Sequence, residues 1–215
     1  MIISRARSYV FVHIPKTGGT SLAQALETRA ARDDILIGDT PKALLRKKRI
    51  AALTPQGRLW KHSTLADIDG VLSMQELAGM FTFTLVRNPF DRVVSYYEWL
   101  RAQRFDHPSV VLAHRVDFGS FLADHQTQKS LKEAPAASYM LRADGVTQCS
   151  AYIRLEHFER DAAVLWSHLG FELDMPHLNA SKRAPDYRDY YTASARDIVK
   201  SVCAADLVQF DYRFD

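Results

Sequence analysis

The 215-residue sequence has few of the features that mark membrane, secreted or metal-binding proteins. No apolar run approaches the roughly 18 residues needed to cross a bilayer, and the first residues have too short an apolar stretch for a secretory signal. The two cysteines, Cys149 and Cys203, form no CxxC pair, which argues against a disulfide framework and a zinc site. Nine glycines and eight prolines exclude a collagen-like or low-complexity chain. We therefore expect a globular protein in the cytoplasm.

Composition and charge favour a single domain that faces an anion. Hydrophobic residues make up 47% of the chain, enough for a full core, and no linker or repeat divides residues 1–215. Residues 1–61 carry 12 Lys and Arg against 4 Asp and Glu, whereas the remainder has an acidic excess. The basic part is expected to meet a negatively charged ligand. The chain has no nucleic-acid motif, so we do not expect a nucleic-acid partner.

Two strand-loop-helix units predict an α/β fold. Residues 8–14 form a buried strand by pattern, and residues 20–31 then read as a helix. A second apolar run, 80–86, precedes a helix over 90–103, with Asn88 as its N-cap. Units of this kind build sheets of parallel strands. The aromatic tail at residues 210–214 is expected to pack on the body of the protein.

The loop of the first unit has the composition of an anion site. Glycines at a strand end allow the backbone to turn tightly and approach a ligand, amides at the following helix N-terminus can point at its oxygens, and a lysine adds a full charge. Because the lysine precedes the glycines, the loop departs from the Walker A order, which weakens an ATPase interpretation. A plain strand-to-helix turn is the alternative. The candidate residues are Lys16, Thr17, Gly18, Gly19, Thr20 and Ser21.

The second unit offers a matching anion site. Arg87 follows the second strand directly, and Ser95 comes eight residues later, where a helix returns it toward the same side. An arginine can bind a phosphate through two parallel hydrogen bonds, with the serine donating a third. The alternatives are an ion pair between Arg87 and Asp91, and a packing role for Ser95. Two anion sites at strand ends suggest one nucleotide with phosphates at both ends.

These two motifs carry a specific resemblance. FVHIPKTGGTSL at 11–22 and TLVRNPFDRVVSYY at 84–97 resemble the 5′-phosphosulfate loop and the 3′-phosphate motif of sulfotransferases that use 3′-phosphoadenosine 5′-phosphosulfate (PAPS). The carbohydrate branch, sulfotransferase family 2, is the most similar. Weaker likenesses lie at 61–68, 154–161 and 177–183. The resemblance implies a P-loop-NTPase-like three-layer fold, with a central mainly parallel sheet flanked by helices.

The resemblance also implies roles for individual residues. The loop residues 16–21 would hold the 5′-phosphosulfate, and Lys16 would in addition stabilise the departing phosphate. Arg87 and Ser95 would hold the 3′-phosphate. A late basic residue, Arg183 or less directly Lys182, would lie near the cofactor. No metal is required, because amides, Lys16 and Arg87 can supply the positive charge.

A base is needed to make the acceptor hydroxyl nucleophilic. His62 is the candidate, because similar enzymes carry a histidine between the two cofactor motifs and a histidine pKa suits the task. A structural role is the alternative for any single histidine. His13, at the end of the first strand, is a competitor, although packing or loop bracing fits it better, and Glu98 is a third candidate.

The sequence thus predicts an enzyme that transfers a sulfuryl group from PAPS to a hydroxyl of a saccharide or glycolipid. Two alternatives stay open at this stage. One is a phosphoryl-transferring P-loop kinase, which magnesium dependence would distinguish. The other is a nucleotide-binding module without catalysis.

Overall fold

The computed structural model describes residues 1–176 and 184–215. It contains five strands: β1 Ile2–Ser4, β2 Tyr9–Val12, β3 Ile35–Leu36, β4 Phe81–Val86 and β5 Ala151–Arg154. The helices are α1 Gly19–Thr28, α2 Pro41–Leu45, α3 Lys47–Ile50, α4 Met74–Ala78, α5 Pro89–Arg101, α6 Pro108–Arg115, α7 Phe118–Ala123, α8 His125–Glu133, α9 Ala136–Tyr139, α10 Phe158–Asp161, α11 Ala163–Leu169, α12 Ala193–Val202 and α13 Ala204–Gln209. Two 3₁₀ helices span Leu155–His157 and Tyr187–Tyr190.

The five strands form one sheet in the order β3-β1-β2-β4-β5. Strands β2, β4 and β5 pair in parallel, whereas β1 is antiparallel to both of its neighbours. Four strands therefore run in one direction, which confirms the mainly parallel α/β fold. The carboxyl ends of β2 and β4 lie at the same edge, because Val12 pairs with Thr84.

The chain divides into two compact units. The first comprises residues 1–86 and the described residues from 136 to 176, and it holds the sheet. Side chains alternate across the sheet: Phe11 and Phe83 pack under α1 and α11 on one face, while Val10 and Val12 face Leu65 and Leu77 on the other. Burial of both faces explains why the strands read as nearly continuous apolar runs.

The second unit comprises residues 87–135 and the described residues from 184 onward. Its core gathers the apolar sides of α5, α6, α7 and α12. Asn88 caps α5, as predicted, by accepting a hydrogen bond from the amide of Phe90 at 3.1 Å. The aromatic tail packs as expected, since the ring of Phe214 lies 5.1 Å from that of Phe90 and 5.2 Å from that of Tyr191.

Candidate active site

The loop after β2 is shaped by a side-chain hydrogen bond and by its backbone angles. The hydroxyl of Thr17 is buried and donates to the carbonyl of Ile14 at 2.9 Å. Lys16 and Gly18 both adopt left-handed backbone angles, with φ of 68° and 85°. Gly18 meets this demand without cost, whereas a side chain at Lys16 tolerates it only with strain. The loop is thus a defined structure, and the hydroxyl of Thr17 braces it from inside.

The loop delivers the chain into the N-terminus of α1. Gly18 is the N-cap residue, and its carbonyl accepts from the amide of Ser21 at 3.0 Å. The first turn carries Thr20 and Ser21 and has no acidic residue. A helix N-terminus has a partial positive charge from its unsatisfied amides, and a carboxylate in the first turn would offset it. This end of α1 is therefore suited to an anion.

Gly19 is enclosed by the ring of His13. A Cβ atom at Gly19 would lie 2.5 Å from Nε2 of His13 and closer still to its Cδ2, so no larger residue fits without movement of that ring. Gly18 is less restricted, with Leu155 Cδ1 at 3.0 Å from such an atom. The second glycine of the motif is therefore required by a histidine six residues earlier.

His62 lies against His13 in the same unit. Its Nδ1 is 2.7 Å from the carbonyl oxygen of His13, and the two rings meet edge to face at 4.7 Å. Because a carbonyl can only accept, Nδ1 carries the proton and donates, which leaves Nε2 as the unprotonated nitrogen. The ring of Trp60 also meets that of His62 edge to face, at 5.0 Å.

Both histidines are neutral at physiological pH. Burial lowers the pKa of His62 to about 4, and the charge of Lys61 acts in the same direction. Burial also holds the pKa of His13 well below its usual value, with Lys61 and Lys16 adding to the effect. Neutral imidazoles have a lone pair to accept a proton, and His62 has its lone pair on Nε2.

The second motif begins α5 in the other unit. Nε of Arg87 donates to Oδ2 of Asp91 at 2.8 Å, so the ion pair considered as an alternative does form. Ser95 is buried two turns further along α5. Glu98, the third base candidate, forms an ion pair with Arg101 at 3.2 Å. Arg183 and Lys182 lie outside the described residues.

Sequence reasoning named the loop and His62 separately and missed the link between them. That link runs through His13, whose carbonyl accepts a hydrogen bond from His62 and whose ring covers Gly19 of the loop. The ion pair between Lys61 and Asp39, at 2.6 Å beside His62, was also missed. The one sequence feature that points to these groups around His62 is that Trp60 and Lys61 directly precede it.

The described residues contain neither a metal-binding cluster nor a membrane-spanning helix. Within residues 1–176 and 184–215, no group of three or more His, Cys, Asp and Glu side chains is arranged to hold a metal ion. None of the helices in this part of the chain is long and apolar enough to cross a membrane.

The structure thus brings together a glycine-containing loop at a parallel strand end, a helix N-terminus suited to an anion, and a buried neutral histidine. Residues 1–213 match the Sulfotransferase family, and the chain belongs to that family. It is a sulfotransferase, as its two motifs indicated. A solved structure of similar fold is the mouse sulfotransferase SULT7A1 complexed with PAP. It is 12% identical, with a TM-score of 0.50, and the match covers 95% of this chain and 86% of that one. No curated protein matches.

Proposed function

We propose that the enzyme transfers the sulfuryl group of PAPS to a hydroxyl of a carbohydrate or glycolipid. The observation that carries this proposal is the pairing of an anion loop with a neutral histidine inside one unit. Lys16 to Ser21 supply charge, amides and hydroxyls, and His62 supplies an unprotonated Nε2.

The loop fits the 5′ end of this co-substrate. The first turn of α1 has no acidic residue, so the helix N-terminus favours a negative charge there. Lys16 and the amides of Gly19 and Thr20 would hold the phosphate oxygens. Arg87 and Ser95, at the start and in the second turn of α5, would hold the 3′-phosphate.

The chemical step needs one base and one stabilised leaving group. His62 Nε2 takes the proton of the acceptor hydroxyl as its oxygen forms a bond to sulfur. The bond from sulfur to the 5′-phosphate oxygen breaks, and Lys16 stabilises the negative charge that stays on that oxygen. The pKa of about 4 makes His62 a weak base when no co-substrate is near it. A nearby anionic co-substrate raises that pKa toward the working range.

The motifs support a carbohydrate or glycolipid as the acceptor, because they resemble those of the carbohydrate branch of the family. Trp60 adds a physical argument: its indole is 43% exposed and lies edge to face against the proposed base. A flat apolar ring of this kind is a suitable surface for the face of a sugar. A cytoplasmic location stays a prediction of the sequence.

Thermal unfolding with nucleotides tests the donor site. We expect 3′-phosphoadenosine 5′-phosphate (PAP) to raise the unfolding temperature by several degrees at about 100 times its Kd, a gain of roughly 2.7 kcal/mol. AMP should act weakly, since it has no 3′-phosphate. A shift with ATP and magnesium alone would instead favour a kinase.

Transfer of labelled sulfate from PAPS to a panel of saccharides and glycolipids tests the activity. His62→Asn keeps a donor toward the His13 carbonyl but has no nitrogen to accept a proton. It should bind PAP normally and lose turnover. Binding of PAP without transfer to any hydroxyl would favour a module that only binds nucleotide.

A further inference from the structure

We propose that His13 is a positioning residue that ties the anion loop to the base, its ring fixing Gly19 and its carbonyl fixing His62. The inference rests on the proposed function, because it gives the loop and His62 their roles. The sequence predicts packing or loop bracing for His13, and its coupling of the loop to His62 goes beyond that. Three separate contacts of His13 carry the argument.

The first contact is steric. The ring of His13 occupies the position that a side chain at Gly19 would need, so it lies directly on the backbone at the start of α1. The left-handed angles at Lys16 and Gly18 bring the chain to this close approach. The ring thereby limits how far the amide of Gly19 can shift when an anion binds.

The second contact sets the chemistry of His62. The carbonyl of His13 accepts from Nδ1 of His62 at 2.7 Å, which selects the tautomer with a lone pair on Nε2. A base in the other tautomer would present an N–H to the acceptor hydroxyl and could not take its proton. The bond also fixes the plane of the imidazole.

The third contact joins the two rings. His13 and His62 meet edge to face at 4.7 Å, and His13 also stacks against Phe11, with ring centroids 6.0 Å apart and an angle of 17° between the planes. Phe11 belongs to the core of the sheet and is fully buried. His13 therefore connects both His62 and the loop to the core of the sheet, and so fixes their positions relative to it.

A suppressor experiment tests the steric link without any ligand. We expect Gly19→Ala to lower the unfolding temperature by roughly 5 °C, because the new methyl group overlaps the His13 ring. In a His13→Ala background the same substitution should lower the unfolding temperature only slightly, since the ring is gone and helical backbone accepts alanine. Equal costs of Gly19→Ala in both backgrounds would overturn the proposal.

The same four proteins test the functional link. Gly19→Ala should weaken PAP binding about tenfold or more, and the double variant should recover part of that loss. If wild type binds no PAP, the proposed function fails, while the unfolding cycle still reports on the contact between the ring and Gly19. The two failures are therefore distinguishable.

The pH dependence of turnover separates positioning from a merely structural role. Removal of the His13 ring admits water beside His62, so the acid limb of the kcat profile should move upward by roughly one pH unit. The other titratable groups around His62 are Lys61, Asp39 and the amino group of Met1, whose pKa burial lowers to about 5, and none of them is substituted. An unshifted acid limb in a folded His13→Ala protein would contradict the positioning role.

His168→Ala is the matched control. Its imidazole also bonds to a backbone carbonyl, that of Arg7 at 2.9 Å, and stacks on a phenylalanine, Phe81 at 4.5 Å. It should leave the pH profile and the cost of Gly19→Ala unchanged. Should His13→Ala fail to fold, His13→Asn, which fills more of the space, takes its place with the same expected directions.

Discussion

Arg87 and Asp91 are joined through a single carboxylate oxygen, Oδ2, which accepts from Nε at 2.8 Å and from Nη2 at 2.5 Å. The side chains are only 15% and 17% exposed, so the pair is held firmly at the start of α5. A guanidinium fixed in this way is preorganised for an anion, because little rotamer freedom is left to lose on binding.

We therefore predict that Arg87→Ala, made together with Asp91→Ala to avoid an uncompensated carboxylate, weakens PAP binding by about 1 to 3 kcal/mol. Binding of AMP, which has no 3′-phosphate, should change little. Calorimetry with both ligands measures the difference.

The control for this prediction is Arg101→Ala. Arg101 also pairs with a carboxylate of its own helix, Glu98, yet its side chain is half exposed. This variant should bind both nucleotides like wild type. An equal loss of PAP and AMP in the Arg87 variant would mean that the pair supports the fold and does not contact the 3′-phosphate.

Lys16 combines a strained backbone with its proposed role in the donor site. Its φ of 68° costs a non-glycine residue about 1 to 2 kcal/mol. Lys16→Gly should therefore be more stable than Lys16→Ala, by about 1 kcal/mol after the greater freedom of glycine in the unfolded chain is counted. Both variants should lose most of the stabilisation that PAP gives to wild type. Thermal unfolding with and without PAP measures both effects.

Lys47→Ala provides the comparison, since Lys47 is an exposed lysine of α3. It should keep the full response to PAP. Equal stability of the glycine and alanine variants would show that position 16 is unstrained. A normal PAP response in Lys16→Ala would remove the lysine from the donor site.

Sequence patterns predicted correctly the elements that are well buried or have a clear cap. Strand β4 and helix α5 appear close to their predicted limits, because a fully buried strand and a capped amphipathic helix have strong local signals. Strands β1 and β3, of three and two residues, were not predicted. Such short strands exist through their pairing with β2 and with each other, and pairing partners are not visible in a local pattern.

The candidate site divides in the same way. The loop residues could be named from sequence, because glycine, lysine and hydroxyl side chains coincide within six positions. The contact between His62 and His13 joins residues 49 positions apart through a backbone carbonyl. Any residue type at position 13 offers that carbonyl, so no sequence pattern could reveal it.

His62 gives the protein a specific dependence on pH. Its folded pKa of about 4 lies below the unfolded value of 6.5, so the unfolded chain binds the proton more readily. The stability that neutral His62 contributes is therefore complete above pH 6.5 and is lost as the pH falls toward 4. The full loss is on the order of 3 kcal/mol.

Denaturant unfolding of wild type and His62→Asn between pH 7.5 and 4 tests this. The stability difference between the two proteins should shrink or change sign toward the acid end. Carboxylates, His13 and the buried amino group of Met1, whose pKa is about 5, titrate in both proteins and cancel to first order. Parallel stability curves over the whole range would show that His62 is not buried in its neutral form.

Asn88 performs two tasks with one side chain. Its Oδ1 caps α5 by accepting from the amide of Phe90, and its Nδ2 donates to the carbonyl of Arg213 in the aromatic tail at 2.8 Å. Asn88→Asp keeps the cap and removes the donor, whereas Asn88→Ala removes both. We expect losses of about 1 kcal/mol for the aspartate and about 2 kcal/mol for the alanine variant.

Hydrogen exchange separates the two tasks of Asn88. Both variants should exchange faster over residues 210–215, because the tail loses its hydrogen bond to α5. Only Asn88→Ala should exchange faster in the first turn of α5, because the amide of Phe90 loses the oxygen that caps it. The tail also packs through the ring of Phe214. If the exchange of the tail is unchanged in Asn88→Asp, then aromatic contacts alone hold the tail, and the hydrogen bond to Arg213 contributes nothing measurable.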